Sequence, residues 1–331
     1  MTAPRTTAAV VGAGMSGSMC AHRLAAHGFE VTVFDKARGP GGRTTTRRIG
    51  SVSVDHGAQY FTARDPRFRQ TVDRWLDSGV IARWSQPLAE LRSGSATLMP
   101  QGERYVGVPG MSAMARDLLG SSVSRFGAAV QSAQFVEGYW RVVLTDGSNA
   151  GPFDVLVVAT PPAQALALVE ADTALPEQSR SMAMLPCWAT VLTFPHKLDV
   201  AFAAAFVEGS ELSWIARNSS KPGRESTSDV WVLHASAAWS QRQLESPELH
   251  VQRMLSQAFE TAIGAEGLSP QHLLTHRWRY ARPESSDAPG SLYDPSKRIG
   301  FCGDWLTDGR VEAAALSGMD LANRIIGGVT S

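Results

Sequence analysis

The residues best suited to chemistry are three glycines and an acid near the start of the chain. Gly12, Gly14 and Gly17 follow the apolar run Ala8–Val11 at the spacing GxGxxG, and Asp35 closes a second apolar run, Val31–Phe34. Each glycine has its own task. Gly12 permits a tight turn, Gly14 lets backbone approach a pyrophosphate, and Gly17 lets a helix pack closely on a strand. Met15 and Ser16 open that helix, whose N-terminal amides attract phosphate. Asp35, with Lys36 after it, is placed to accept from the hydroxyls of an adenosine ribose. A glycine turn without a ligand is the plainer reading. Strand, turn, helix, strand and acid nevertheless occur together within about 30 residues, which predicts a bound dinucleotide.

The elements that must position these residues can be read from periodicity. Cys20, Leu24 and Ala25 continue an apolar helix face that Gly28 stops. Asp154–Val158 is an apolar strand running into Ala159, Thr160 and the stop Pro161-Pro162. Val123–Val130 and Trp140–Leu144 are expected strands, with turns at Gly138 and Asp146-Gly147. Arg298–Cys302 is a strand ending in Gly303-Asp304. Arg310, Val311 and Glu312 then open an Ala-rich helix running through Ile326, with one broad apolar face.

Composition narrows the function classes. The 331 residues carry 31 Lys plus Arg and 31 Asp plus Glu, a formal net charge of zero. Nucleic acid as main ligand would need a basic excess. Hydrophobic residues make up 44% and charged residues 19%, a globular balance. The three cysteines, Cys20, Cys187 and Cys302, form no paired motif and point to a reducing compartment, the cytoplasm. No apolar run approaches the roughly 20 residues of a membrane helix. Arg5 before the Ala8–Gly14 run mimics a short signal peptide, but its glycines favour a strand and turn. No metal-ligand spacing is present.

Two distant segments carry a family resemblance. Arg38-Gly39-Pro40-Gly41-Gly42-Arg43, after the ribose acid, resembles the RxGGR pattern of the flavoproteins that include monoamine oxidases, protoporphyrinogen oxidases and phytoene desaturases. Gly303-Asp304 before the Arg310–Glu312 helix start resembles their C-terminal motif. The resemblance implies an α/β fold: a Rossmann-type FAD-binding domain of the p-hydroxybenzoate hydroxylase/amine oxidase kind with a second, mixed α+β substrate domain. The FAD domain is assigned to 1–59, 97–161 and 292–331, and the substrate domain to 60–96 and 162–291. Beyond the glycine motif, Asp35 and Lys36, the implied FAD contacts are Arg38, Gly42, Arg43, His56, Gly57, Ala58, Gln59, Val130, Ala159, Thr160, Gly303, Asp304, Arg310, Val311, Glu312 and Ala315. Val130 would reach the adenine through its backbone. Asp304 would meet the ribityl or pyrophosphate oxygens, and Val311 and Glu312 would lie beside the flavin ring.

The strings Asp55-His56-Gly57-Ala58-Gln59-Tyr60-Phe61-Thr62 and His276-Arg277-Trp278-Arg279-Tyr280-Ala281 resemble renalases, particularly bacterial ones. That resemblance implies an FAD oxidase of the 2- and 6-dihydro isomers of NAD(P)H, with O2 as acceptor and NAD(P)+ and H2O2 as products. The alternative is an amine oxidase, or an oxidase or desaturase of polycyclic substrates, on the same fold. Amine oxidases carry a strand lysine that holds a water at flavin N5. The comparable run, Met184–Phe194, has none. No cysteine is placed to tether a flavin, so the FAD is expected to be non-covalent. Substrate-pocket candidates are Tyr60, Phe61, Trp214, His234, Trp278 and Tyr280. Trp278 and Tyr280 share a strand face, with Arg277 and Arg279 on the other. A dihydropyridine becomes aromatic on giving up hydride, so no catalytic acid or base is expected.

Overall fold

The computed structural model describes residues 5–92, 95–120, 122–169, 182–224, 227–284 and 290–329. A six-stranded sheet runs in the order Ser291–Asp294, Ile299–Cys302, Val155–Val158, β1 (Thr7–Val11), β2 (Glu30–Asp35) and Val123–Phe126. All its pairings are parallel except the antiparallel edge strand Ser291–Asp294. α1 (Met15–Ala26) crosses from β1 to β2. The central strands are buried on both faces, which is why they read as unbroken apolar runs rather than alternating ones. On one face, Ala8, Val10 and Val33 pack against Cys20 and Leu24 of α1 and Leu321 and Ile325 of the last helix, Val311–Val329. On the other face lies a three-stranded antiparallel sheet, Val130–Val136, Tyr139–Leu144 and Asn149–Phe153, through Trp140 and Phe153.

The expected single strand Val123–Val130 is two strands in two sheets. Gly127 sits at φ +69 between them, and Gly127 and Ala128 donate backwards to the carbonyls of Ala37 and Asp35. The chain therefore turns after Phe126 and leaves the parallel sheet.

A second body is built on a seven-stranded sheet. Its order is Gln271–Pro283, Met184–Phe194, Asp229–Ala235, Leu212–Arg217, Ala204–Glu208, Leu88–Arg92 and Ser95–Leu98. The helix Glu248–Ile263 lays Val251, Leu255, Ala258 and Phe259 on one face, beside Trp188 and Trp231. The domain crossing assigned at 96/97 falls inside the hairpin that pairs Ala89 with Leu98. Tyr105–Gly107 likewise pairs with Ile81–Arg83, so strand pairing joins 95–107 to the segment before it. The chain is thus an α/β protein with a Rossmann-type body and a second mixed body. Among the described residues no helix is long and apolar enough to cross a membrane.

Candidate active site

A cleft of about 1800 Å³ runs from the glycine turn of the first sheet to the inner face of the second. Pockets for drug-sized molecules are roughly 300–1,000 Å³, so this one has room for a dinucleotide and a second molecule. Gly12 adopts φ +107, and a Cβ there would lie 2.8 Å from the Ala159 carbonyl oxygen. A Cβ on Gly17 would lie 2.0 Å from the Gly12 carbonyl oxygen, so Gly17 supports helix packing and does not itself face the cleft. A Cβ on Gly14 would meet nothing within 4 Å. That empty position is where a phosphate would come against backbone. Gly14 caps α1 without any side-chain hydrogen bond, leaving the first-turn amides for a ligand.

The second glycine loop closes over the first. Gly41 donates to the Ala13 carbonyl at 2.8 Å, and Gly42 packs on the Gly14 backbone. The Asp35 carboxylate accepts from the backbone amides of Ala13 and Ala37, both at 2.7 Å, which fixes it at the end of β2. Ser16 Oγ and Thr160 Oγ1 flank the turn, buried and without a partner among the described residues. Orphaned buried hydroxyls call for an acceptor. Open backbone at Gly14, uncapped amides and two unpaired hydroxyls together fit the pyrophosphate and ribityl segment of a dinucleotide such as FAD. Met15, Lys36, Arg38, Val130, Ala159, Gly303, Arg310 and Val311 also line this part of the cleft.

Four expected contacts differ. Asp304 lines the cleft, but Arg43 holds both its oxygens, at 2.7 and 2.5 Å. Glu312 is turned away: its Oε1 accepts from the amides of Arg64 and Asp65, at 2.5 and 2.7 Å, tying the last helix to the loop before Pro66–Asp77. Ala315 is buried in the core one turn further on. Phe61 is not a pocket residue. Its backbone pairs with Tyr105, and its ring packs on Phe68 and Tyr105.

On the far side the cleft is walled by aromatic rings and imidazoles. Trp278 stacks on His56, centroids 5.1 Å apart at 27°, with His276 edge-on at 4.3 Å. One indole face is thereby covered. The His56 carbonyl accepts from Trp278 Nε1 at 3.0 Å and His234 Nε2 at 3.2 Å. Burial, with His276 and Arg47 nearby, pushes the His56 imidazole down to about 3. Burial pushes His234 down to about 4. Both rings are neutral near pH 7. Tyr60, Trp214, Tyr280 and the half-exposed Phe206 complete the wall. Arg277 and Arg279 meet on Glu245, off the Trp278 face. From Met184–Phe194 it is Pro186 and Cys187, not a lysine, that line the cleft.

His56, Gly57, Ala58 and Gln59 form the strip between the two halves. Ala58 donates to the Arg43 carbonyl, and a Cβ on Gly57 would lie 2.0 Å from that same oxygen and 3.3 Å from Trp278. Behind the strip is a buried ionic network that sequence reading did not find. Asp55 takes Arg224 Nη2 and Nε at 2.5 and 3.0 Å, and Thr46 Oγ1 and the Met111 amide on its other oxygen. Lys221 Nζ lies 3.6 Å from Asp55 and donates to Gln59 Oε1 at 3.0 Å. Gln59 Nε2 in turn donates to the carbonyls of Asp55 and Gly57. The side chains of Asp55, Lys221 and Arg224 are fully buried. Lys221 and Arg224 hold the Asp55 carboxyl below its usual range despite burial. Burial pushes Lys221 down to about 8.

The cleft is strongly cationic. Lys36, Arg38, Arg43, Arg47, Arg48, Arg116, Arg277, Arg279, Arg282 and Arg310 line it with the carboxylates Asp35 and Asp304, and just outside the lining Glu245 pairs with Arg277 and Arg279 and Asp308 with Arg310. Asp35 and Asp304 are both already engaged.

The sequence matches two families: an NAD(P)-binding Rossmann-like domain over residues 10–75, and flavin-containing amine oxidoreductases over residues 78–326. Curated relatives include the neurosporene-forming phytoene desaturase of Rhodobacter capsulatus, 35% identical over 98 residues, or 30% of this chain and 18% of that protein. The zeta-carotene-forming phytoene desaturase of Myxococcus xanthus is 48% identical over 48 residues, 14% of this chain and 9% of that protein. The matched stretches therefore span well under a quarter of those enzymes. Solved structures share the whole fold. Putrescine oxidase bound to putrescine has a TM-score of 0.71 at 13% identity, covering 98% of this chain and 99% of the other. An oxidoreductase of Methanosarcina mazei has a TM-score of 0.72 at 14% identity, covering 96% and 100%.

Proposed function

The chain belongs to the flavin-containing amine oxidoreductase family, its cofactor is FAD, and on that footing we propose that it oxidises the 2- and 6-dihydro isomers of NAD(P)H, as renalases do. The reaction is dihydro-NAD(P) plus O2 plus a proton, giving NAD(P)+ and H2O2, and the cytoplasm is its setting. FAD, when bound, supplies the two-electron acceptor.

The observation that carries this reading is the charge of the cleft. Arg43, Arg277, Arg279 and Arg310 are paired with Asp304, Glu245 and Asp308, which among the described residues leaves Lys36, Arg38, Arg47, Arg48, Arg116 and Arg282 as the excess. The lining carboxylates Asp35 and Asp304 are spent on backbone amides and on Arg43. A protonated amine gains nothing there, whereas a dinucleotide brings phosphates that such a cleft attracts. The inner wall agrees. Tyr60, Trp278 and Tyr280 offer flat apolar surface to a pyridine ring. His56 and His234 are held neutral, so neither repels the cationic ring of the product. The strand that bears a lysine in amine oxidases presents Pro186 and Cys187. The work left to the chain is orientation and exclusion of water, as expected for a donor that gains aromaticity on oxidation.

The test is product analysis with the isomer mixture formed by borohydride reduction of NAD+. Equal amounts of NAD+ and H2O2 should appear, and Trp278→Ala should slow the reaction while FAD stays bound. Steady H2O2 production from benzylamine or a polyamine, with none from the isomers, would replace this reading by the amine oxidase one.

A further inference from the structure

Trp214 and His234 are directly opposed on neighbouring antiparallel strands, Leu212–Arg217 and Asp229–Ala235. Opposed residues point to the same face with Cβ atoms about 4.5–5.5 Å apart. Both side chains line the cleft. Trp214 is only 6% exposed, and its Nε1 has no hydrogen-bond partner among the described residues. An indole N–H is solely a donor, and leaving one buried and unpaired costs about 1–3 kcal/mol. His234 has the opposite character. A carbonyl oxygen can only accept, so the contact with the His56 oxygen puts the ring proton on Nε2. The neutral ring then has a bare lone pair at Nδ1.

We propose that Trp214 and His234 form a donor–acceptor pair that recognises a primary carboxamide on the substrate ring, Trp214 Nε1 donating to the amide oxygen and His234 Nδ1 accepting from the amide nitrogen. This rests on the dihydronicotinamide reading and names the group that selects among such rings. Tyr60 and Phe206 flank the indole, with centroids 5.6 and 4.8 Å away. Phe206, edge-on to the indole and 39% exposed, is the neighbour that would have to move for an amide to reach the buried Nε1. Because His234 stays uncharged well below neutrality, its acceptor role persists across the working pH range.

The experiment compares two substrates on FAD-loaded protein: the dihydro isomers of NAD+ and those of its 3-acetylpyridine analogue, which keeps the carbonyl but lacks the amide N–H. A hydrogen bond of about 0.5–1.5 kcal/mol corresponds to roughly twofold to thirteenfold in kcat/KM. Wild type should favour the carboxamide by about that factor. Trp214→Phe should lower kcat/KM for both substrates by a similar factor, and His234→Leu should lower only that of the carboxamide, erasing the preference. Calorimetric titration with NAD+ should show the same losses in Kd. If wild type oxidises both substrates equally, or Trp214→Phe changes neither, the pair does not read an amide although the oxidase reading stands. If wild type oxidises neither, both fall together.

Discussion

Gly14→Val separates ligand binding from folding. Gly14 has φ −73 and ψ −179, extended backbone that valine adopts readily, and its Cβ would meet no protein atom within 4 Å. The cost to the cofactor-free protein is then the exchange of glycine for valine at a helix N-cap, under about 1 kcal/mol. The branched side chain instead fills the space against which the pyrophosphate must rest. Wild type in FAD at 100 times its Kd gains about 2.7 kcal/mol of stability, which for a chain of 331 residues corresponds to a melting shift of roughly 4 °C. The variant should purify colourless, melt within a few degrees of cofactor-free wild type, and show no shift on adding FAD. Gly17→Ala is the contrast. Its Cβ would sit 2.0 Å from the Gly12 carbonyl oxygen, so the cofactor-free protein itself should be destabilised. A Gly14→Val protein carrying one FAD per chain would refute the assignment of this turn to phosphate.

Other consequences can be checked in solution. Acid precipitation should leave all flavin in the supernatant, because Cys20 and Cys302 are buried and burial pushes the thiol of Cys187, which lines the cleft, up to about 12, so that it is not a thiolate near pH 7; colour in the pellet would contradict this. Asp55→Asn leaves Lys221 and Arg224 buried without their anion and should cost about 3–5 kcal/mol in urea unfolding; a loss under 1 kcal/mol would show the network to be incidental. The His56 imidazole is at about 3 in the folded chain against an ordinary 6.5, so the unfolded chain binds the extra proton between those values. Its contribution to folding is therefore fully present above pH 6.5 and declines as pH falls toward 3. Unfolding free energy should drop from pH 7 to pH 5, and His56→Gln should flatten that slope.

The cofactor half was legible in the sequence because each of its signals is local. Gly12, Gly14 and Gly17 are constrained by contacts within one strand–turn–helix unit, and Asp35 by the strand that carries it. The alternation at Trp278 and Tyr280 was readable for the same reason, since a strand's period sets its faces. The failures are tertiary. Arg43 and Asp304 were each recognisable as site residues, but their pairing spans 261 positions. Glu312 finds its partners 247 and 248 positions away, in amides that any sequence provides. Lys221 and Arg224 lie in the string Lys-Pro-Gly-Arg, the composition of a solvated turn. Their anion, Asp55, lies 169 positions from Arg224, and Gln59 and the Gly107 carbonyl take their remaining donors. The break after Phe126 had a signal in Gly127, one glycine in an otherwise strand-like run.

The central claim is most directly tested by anaerobic rapid mixing of the FAD-loaded protein with the NADH isomer mixture, following flavin bleaching. The 2- and 6-dihydro isomers should bleach it rapidly. Ordinary 4-dihydro NADH should do so about a hundredfold more slowly, because its hydride leaves from a ring carbon held out of line. Benzylamine and polyamines should leave the flavin oxidised. Faster bleaching by an amine than by any dihydropyridine isomer would contradict the account.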